Sequence, residues 1–231
     1  MMKTKFNILY EDNHLIVVVK PQNILSQADN SKDEDIMSQI KDYLKEKYNK
    51  PGNVFLGLLH RLDRRVSGVM VFSKTSKAAS RLAGEIREQK MKKTYYAIVV
   101  GDIEDSGNLK NYLKKVRVNN SYKAIITNDK DTEAKEATLS YKKIKRVLLD
   151  GNIFSLIEID LITGRYNQIR AQLAHINHPI INDFKYTYRL NNYNDELGLA
   201  CVEIGINHPI TKEYLDFQYI PTNGIWDLFV Q

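Results

Sequence analysis

Cysteine is close to absent. Cys201 is the only one among 231 residues, so no disulfide can close within the chain, and a zinc site built on cysteines is all but excluded. Cys201 reads as a small buried apolar residue. Long hydrophobic runs are missing as well. The longest aliphatic stretches, such as Leu15–Val19, fall far short of the roughly 20 apolar residues that span a bilayer. Met1–Glu11 holds no apolar core of a signal peptide. The expectation is a soluble, cytoplasmic protein. There is no glycine-rich phosphate loop, no Gly-x-Ser-x-Gly elbow and no carboxylate cluster suited to magnesium. No linker or low-complexity tract breaks the chain, so a single domain over 1–231 is expected.

What is present is an ordinary globular balance, 43% hydrophobic and 27% charged, which argues against disorder. The net charge of +6 and the pI of about 9.1 favour an anionic partner, nucleic acid first, although basicity alone is weak evidence.

Alternation and turn residues predict short strands over Phe6–Tyr10 and Leu15–Lys20, around the turn at Glu11-Asp12-Asn13. Ile36, Ile40, Tyr43, Leu44 and Lys47 line one stripe of a helix over Asp33–Tyr48, stopped by Pro51-Gly52. A strand over Val69–Ser73 precedes a second helix to about Glu88. Ser76 is its expected cap, and Ala79, Leu82, Ala83 and Ile86 its inward face. Thr94–Val100 is β-branched and aromatic, a central strand. Leu109–Leu149 reads as polar hairpins and Ile153–Ile162 as a long strand. A helix follows near Asn167–Ile176, then strands over Leu199–Ile206 and Tyr214–Tyr219. Strands outnumber helices without regular alternation, so the expected class is α+β, with a mixed, largely antiparallel central sheet and flanking helices. Ile-Asn-His-Pro-Ile occurs at 176–180 and again at 206–210, but the flanks differ and no repeat architecture follows.

Three polar clusters interrupt this apolar pattern. His60-Arg61-Leu62-Asp63-Arg64-Arg65-Val66-Ser67-Gly68 lies between apolar strands, with Arg61 and Asp63 two apart on one side of an extended segment. Thr163-Gly164-Arg165-Tyr166-Asn167-Gln168-Ile169-Arg170-Ala171-Gln172 turns into a helix whose Ile169 and Leu173 face inward, with Arg170 beside them. Lys92-Lys93-Thr94-Tyr95-Tyr96 leads basic residues into a strand with tyrosines on opposite faces, one suited to the core and the other to stacking on a base. Taken singly, each fits a structural ion-pair loop, a polar helix start or packing tyrosines equally well. His175 and His178 have metal-compatible spacing but no convincing third ligand, and read as structural. Lys110, Lys114, Lys115 and Arg117, with Lys142, Lys143, Lys145 and Arg146, form two basic stretches that suit either a phosphate backbone or a solvated strand face.

Together, in this order and spacing, the clusters resemble the motifs of the RluA-type family of RNA pseudouridine synthases. The first matches His-Arg-Leu-Asp-x-x-Thr-Ser-Gly, with Val66 in place of threonine. The second resembles Thr-Gly-Arg-x-His-Gln-Ile-Arg-x-His, with Asn167 and Gln172 where histidines are usual. The third matches Lys-x-Tyr-x-Ala as Lys93–Ala97. Weaker echoes run through Ile8–Asp12, Val19-Lys20-Pro21, His178-Pro179-Ile180 with Asp183 and Tyr186, and His208-Pro209.

The resemblance implies the pseudouridine synthase fold without a separate N-terminal RNA-binding domain. It implies isomerisation of uridine in ribosomal or transfer RNA after base flipping, with no cofactor, metal, membrane or obligate protein partner, by a monomer. Asp63 matches the catalytic aspartate, Tyr95 the tyrosine that stacks on the uracil, and Arg170 the arginine that ion-pairs with the aspartate. Arg61, Leu62, Arg165, Gln168 and Ile169 are the candidates for substrate contact. The alternative is a non-catalytic RNA-binding or ribosome-associated protein on the same fold.

Overall fold

In the computed structural model, which describes residues 4–119, 121–187 and 196–230, the chain forms two compact units. One takes the chain up to Lys92 together with Cys201–Ile220; the other takes Lys93–Ala200 and the C-terminal segment from Pro221. The crossings at 92/93 and 200/201 fall inside strands, so no linker composition marks them.

The first unit opens with β1 (Asn7–Glu11) and β2 (Leu15–Lys20), an antiparallel hairpin. Its turn is built by Asp12, whose Oδ1 accepts from the amides of His14 and Leu15 at 2.7 and 2.6 Å. Helix α1 (Ile36–Lys47) starts three residues later than its periodicity predicts. Asp35 is the N-cap, accepting from the Ser38 amide at 2.9 Å, and the backbone before it is therefore non-helical. Ile36, Ile40 and Leu44 form its buried stripe.

A short β3 (Gly57–Leu58) and β4 (Ser67–Ser73) flank the first polar cluster, and α2 (Ser76–Arg87) follows. The cap of α2 is Thr75, not Ser76: its side chain accepts from the Ala78 amide. The helix buries Ala78 and Leu82, with Ala79 and Ile86 half-buried and Ala83 exposed, a rotation of the expected face.

The second unit carries β5 (Lys92–Val100), β6 (Ser106–Val118), β7 (Ser121–Thr127), β8 (Lys135–Leu149) and β9 (Asn152–Leu161) in the order β5-β9-β8-β6-β7, each neighbour antiparallel. Helix α3 (Gln168–His175) contributes Ala171 to a small core with Leu113, Ala124 and Ala137. The chain then passes through β10 (Leu199–Asn207) and β11 (Tyr214–Gln218) to a 3-10 turn at Gly224–Leu228, where Phe229 packs edge-on against Phe154 within the second unit.

In the first unit the strand order is β1-β2-β4-β10, with β11 on β10 and β3 on β4. The pairs β1–β2, β2–β4, β3–β4 and β10–β11 are antiparallel. β2 and β4 are buried along their whole length, which is why both read as unbroken apolar runs rather than alternating ones. Gly68, at φ +127, faces the backbone of Cys201, and a Cβ there would collide with it. The fold is thus the expected mixed, largely antiparallel sheet structure with helices. No helix of the described residues is long and apolar enough to cross a membrane.

Candidate active site

In the first unit the Asp63 loop is held from behind. Lys20, the last residue of β2, is fully buried, and the three N–H bonds of its ammonium have three carbonyl acceptors: Pro21 and Ile24 at 2.8 Å and Arg64 at 3.1 Å. Burial pushes the Lys20 amine down to about 7, and the neighbouring negative charge of Asp63 opposes that shift. Ser26, also buried, clamps the residue before Asp63. Its hydroxyl donates to the Leu62 carbonyl at 2.7 Å and accepts from the Leu62 amide at 3.0 Å.

The Asn23 amide donates to the Arg64 carbonyl at 2.8 Å, and the Val66 amide closes a turn onto the Asp63 carbonyl at 3.0 Å. Backbone on both sides of Asp63 is therefore pinned, while Asp63 itself is half-buried. Leu62 and Val66 point inward, at 5% and 3% exposure, so valine at position 66 is buried as an apolar residue. Arg61 is exposed. Arg64 is exposed too and pairs with Asp33 at 2.6 Å. His60 Nε2 accepts from the Val71 amide at 3.1 Å, tying the start of the motif to β4.

Two further networks brace this unit. Burial raises the Asp12 carboxyl, but the amides of His14 and Leu15 and contacts from His208 and Tyr10 outweigh it and leave it below the ordinary range. His208 Nδ1 accepts from the Thr211 amide, so its Nε2 is the nitrogen that donates to Asp12, at 2.8 Å. Burial also raises Glu11, yet Lys47, Lys74, Tyr48 and Tyr43 pull it down to about 2.

The second unit holds the other two clusters. Tyr95 lies in β5 opposite Ile159 of β9 and is 6% exposed; Tyr96, opposite Glu158, is half-buried. The turn into α3 is organised by Gln168. Its Oε1 accepts from the Thr163 hydroxyl at 2.8 Å and the Arg165 amide at 3.0 Å, and its Nε2 donates to the Thr138 carbonyl at 3.1 Å. Both ends of the amide expected to meet substrate are thus spent on the turn. Arg165 is exposed and anchored through Nε to the Glu136 carbonyl at 2.8 Å, whereas Ile169 is buried.

Asn167 adopts a left-handed conformation at the N-cap (φ 48, ψ 28), which asparagine tolerates better than most residues. Gln172 is fully buried. Its amide nitrogen donates to Asn111 Oδ1 at 2.8 Å and lies within reach of the Ala137 and Leu109 carbonyls. Glutamine at this position therefore ties α3 to β6 and β8.

Arg170 is buried and forked onto Asp183, Nε to Oδ2 at 2.8 Å and Nη2 to Oδ1 at 2.7 Å, with its guanidinium 5.5 Å from the centre of the Tyr186 ring. Asp183 is fully buried. In the sequence it stands out only as an echo after the second motif, because nothing local pairs an acid with an arginine thirteen residues earlier. Lys20 and Ser26 are similarly inconspicuous. The one signal for Lys20 is a lysine that closes an otherwise apolar strand. His178 Nδ1 lies 2.9 Å from the Val100 carbonyl, a satisfied structural histidine.

A groove of about 440 Å³ in the first unit is lined by Glu34, Asp35, Asp42 and Glu46, among others, and by none of the motif residues. Its charge has the wrong sign for a polyanion.

Residues 14–175 match the family model for RNA pseudouridylate synthase. The chain belongs to the RNA pseudouridylate synthase family. It is 32% identical to tRNA pseudouridine synthase C of Vibrio parahaemolyticus, over 93% of this chain and 90% of that protein. It is also 32% identical to a ribosomal large subunit pseudouridine synthase C of Buchnera aphidicola, over 89% of this chain but 64% of that protein. Among solved structures, human RNA pseudouridylate synthase domain containing 1 shares the fold with a TM-score of 0.76, at 18% identity, covering 95% of this chain and 84% of that one. As a pseudouridine synthase, the protein is an RNA uridine-to-pseudouridine isomerase.

Proposed function

We propose that the protein modifies transfer RNA, with Asp63 as the catalytic carboxylate, Tyr95 as the ring that stacks on the target uracil and Arg170, which also forks onto Asp183, as the cation that ion-pairs with the catalytic carboxylate. The observation that carries the assignment of Asp63 is its presentation. It stands half-buried on a loop whose neighbours are fixed by Lys20, Ser26 and Asn23. A reacting carboxylate needs that fixed geometry. Transfer RNA is preferred because relatives 32% identical to this chain over 89–93% of it carry that name.

The reaction breaks the C1′–N1 bond, turns the uracil, and joins C1′ to C5; the C5 hydrogen leaves as a proton. The flipped nucleotide costs roughly a few kcal/mol to unstack, and stacking on an aromatic ring returns about 1–3 kcal/mol. Asp63 either attacks the ribose or uracil, or removes the 2′ proton; each route needs the ionised form. The enzyme acts as a cytoplasmic monomer without a protein partner in this reading.

The test is tritium release from C5-labelled RNA. Asp63→Asn is expected to lower release at least about 10³-fold while leaving folding and RNA binding intact. An active, purified Asp63→Asn enzyme would remove the assignment. Release by the wild type from ribosomal RNA only would overturn the choice of substrate. No release from any RNA pool, with binding intact, would favour the non-catalytic RNA-binding alternative.

A further inference from the structure

One face of the β6–β7 hairpin, in the second unit, has no part in the roles assigned above. Register places Leu113 opposite Ile126, Lys115 opposite Ala124 and Arg117 opposite Tyr122. Directly opposed residues, and those two apart on each strand, share a face. Near α3 this face is apolar: Leu113, Ala124, Ala137 and Ala171 form a core with Ile126 and Tyr186 packed against it. Farther along, the same face carries Lys115, Arg117 and Tyr122, all exposed.

Aromatic rings organise these cations. Lys115 Nζ lies 4.0 Å from the Tyr122 ring centre and 4.8 Å from that of Tyr166. The Tyr166 hydroxyl donates to the Tyr122 carbonyl at 3.2 Å, and Lys185 Nζ donates to the same carbonyl at 2.9 Å. Tyr122 and Tyr166 are 48% and 37% exposed, so two large rings stand open beside the positive charge.

The other face of β6 is different. Lys110 pairs with Glu136 at 2.9 Å, and Lys114 with Asp131 and Glu133 at 3.3 and 2.5 Å. In the second basic stretch, Lys143 and Arg146 pair with Asp102, and Lys143 also with Asp105. Among the described residues, neither Lys115 nor Arg117 has an ion-pair partner. A carboxylate partner cancels a lysine's charge; a ring orients the ammonium and leaves the charge available.

We infer that the Lys115–Arg117–Tyr122–Tyr166 face grips the phosphate backbone of an unpaired RNA segment, with Lys115 and Arg117 as the phosphate contacts. The inference rests on RNA being the substrate and adds where the strand runs on the second unit. Within the two basic stretches, Lys110, Lys114, Lys143 and Arg146 are thereby set apart, each held by a carboxylate, from the ring-bound Lys115 and its neighbour Arg117.

The experiment measures the affinity of the full-length protein for unmodified transfer RNA across monovalent salt, for wild type, Lys115→Gln/Arg117→Gln and Lys110→Gln/Lys114→Gln. Each single-strand phosphate contact contributes about 0.7 to the slope of log K against log salt, so losing two lowers the slope by about 1.4 and weakens binding about 25-fold near 0.1 M salt. The Lys115/Arg117 variant is expected to show both effects, with raised KM in tritium release. The Lys110/Lys114 variant is expected to keep the wild-type slope. Circular dichroism melts confirm that each variant is folded, and Tyr122→Phe, which keeps the ring, keeps the wild-type slope.

A folded Lys115/Arg117 variant with the wild-type slope, or an equal loss in the Lys110/Lys114 variant, overturns the inference while leaving the catalytic reading intact. A wild-type protein that neither binds RNA nor releases tritium defeats that underlying reading instead.

Discussion

Replacing Lys20 with methionine keeps the length of the side chain and deletes the cation that holds the Asp63 loop. Where Lys20 is an ammonium, three hydrogen bonds to the Pro21, Ile24 and Arg64 carbonyls disappear. The sites are part-buried, and the Arg64 carbonyl keeps the Asn23 amide, so each orphaned acceptor costs about 1 kcal/mol, near the low end for unsatisfied groups. Against this, a buried cation with a desolvation cost is gone. The net expectation is about 2 kcal/mol of lost stability, or roughly a 1 M drop in urea midpoint. The loop loses its rear anchor, and a displacement near 1 Å lowers turnover about 10²-fold at saturating RNA.

The pH dependence fixes the sign. Lys20 titrates near 7 in the fold against an ordinary 10.5, so between those values the unfolded chain binds the extra proton and the fold gains stability as pH rises. The wild-type advantage over Lys20→Met therefore widens from pH 7 upward. Urea melts at pH 6 and 9, with tritium release on the same preparations, test both parts. Unchanged turnover with an unchanged midpoint would refute the claim that Lys20 positions the loop.

Other outcomes follow from the same geometry. Asp183→Asn leaves the buried Arg170 guanidinium without its forked partner and should cost about 3 kcal/mol in a urea melt; an unshifted midpoint would show the pair to be dispensable. Glu11 sits at about 2 in the fold against an ordinary 4.5, so its contribution is present above pH 4.5 and lost as pH falls from there toward 2. After discounting for solvent screening that is about 1–2 kcal/mol, and Glu11→Gln should flatten the acid limb of stability against pH. Gly68→Ala forces a side chain into the Cys201 backbone at a positive φ, an expected loss of about 3 kcal/mol or more read by thermal melting.

Strands whose environment is uniform were the most legible part of the fold. Leu15–Lys20 was bounded correctly because a strand buried on both faces reads as one apolar run, and the helix stripe of Ile36, Ile40 and Leu44 showed plainly. The face of α2 was misjudged because alanines at 78, 79 and 83 mark no stripe by themselves, and adjacent positions lie about 100° apart on a helix. In the candidate site, the motif residues were visible as polar interruptions, but their anchors were not. Lys20, Ser26 and Asp183 act across 44, 36 and 13 residues, and no local pattern encodes a contact made by tertiary packing. Gln168 and Gln172 looked like substrate ligands or softened histidines; their duty as backbone clasps emerges only when Thr138, Ala137 and Leu109 are brought beside them.

The placement of β10 sets a timetable for biosynthesis. In the first unit β4 lies between β2 and β10, but residues 93–200 separate the early part of that unit from its return at Cys201. At about 5–20 residues per second, the ribosome needs roughly 5–20 s to make the intervening segment. Through that interval the wholly apolar core of β4, Gly-Val-Met-Val-Phe, waits with most of one edge unpartnered, a template for unwanted strand pairing. A chaperone that covers β4 during those seconds is expected to raise the yield of folded protein.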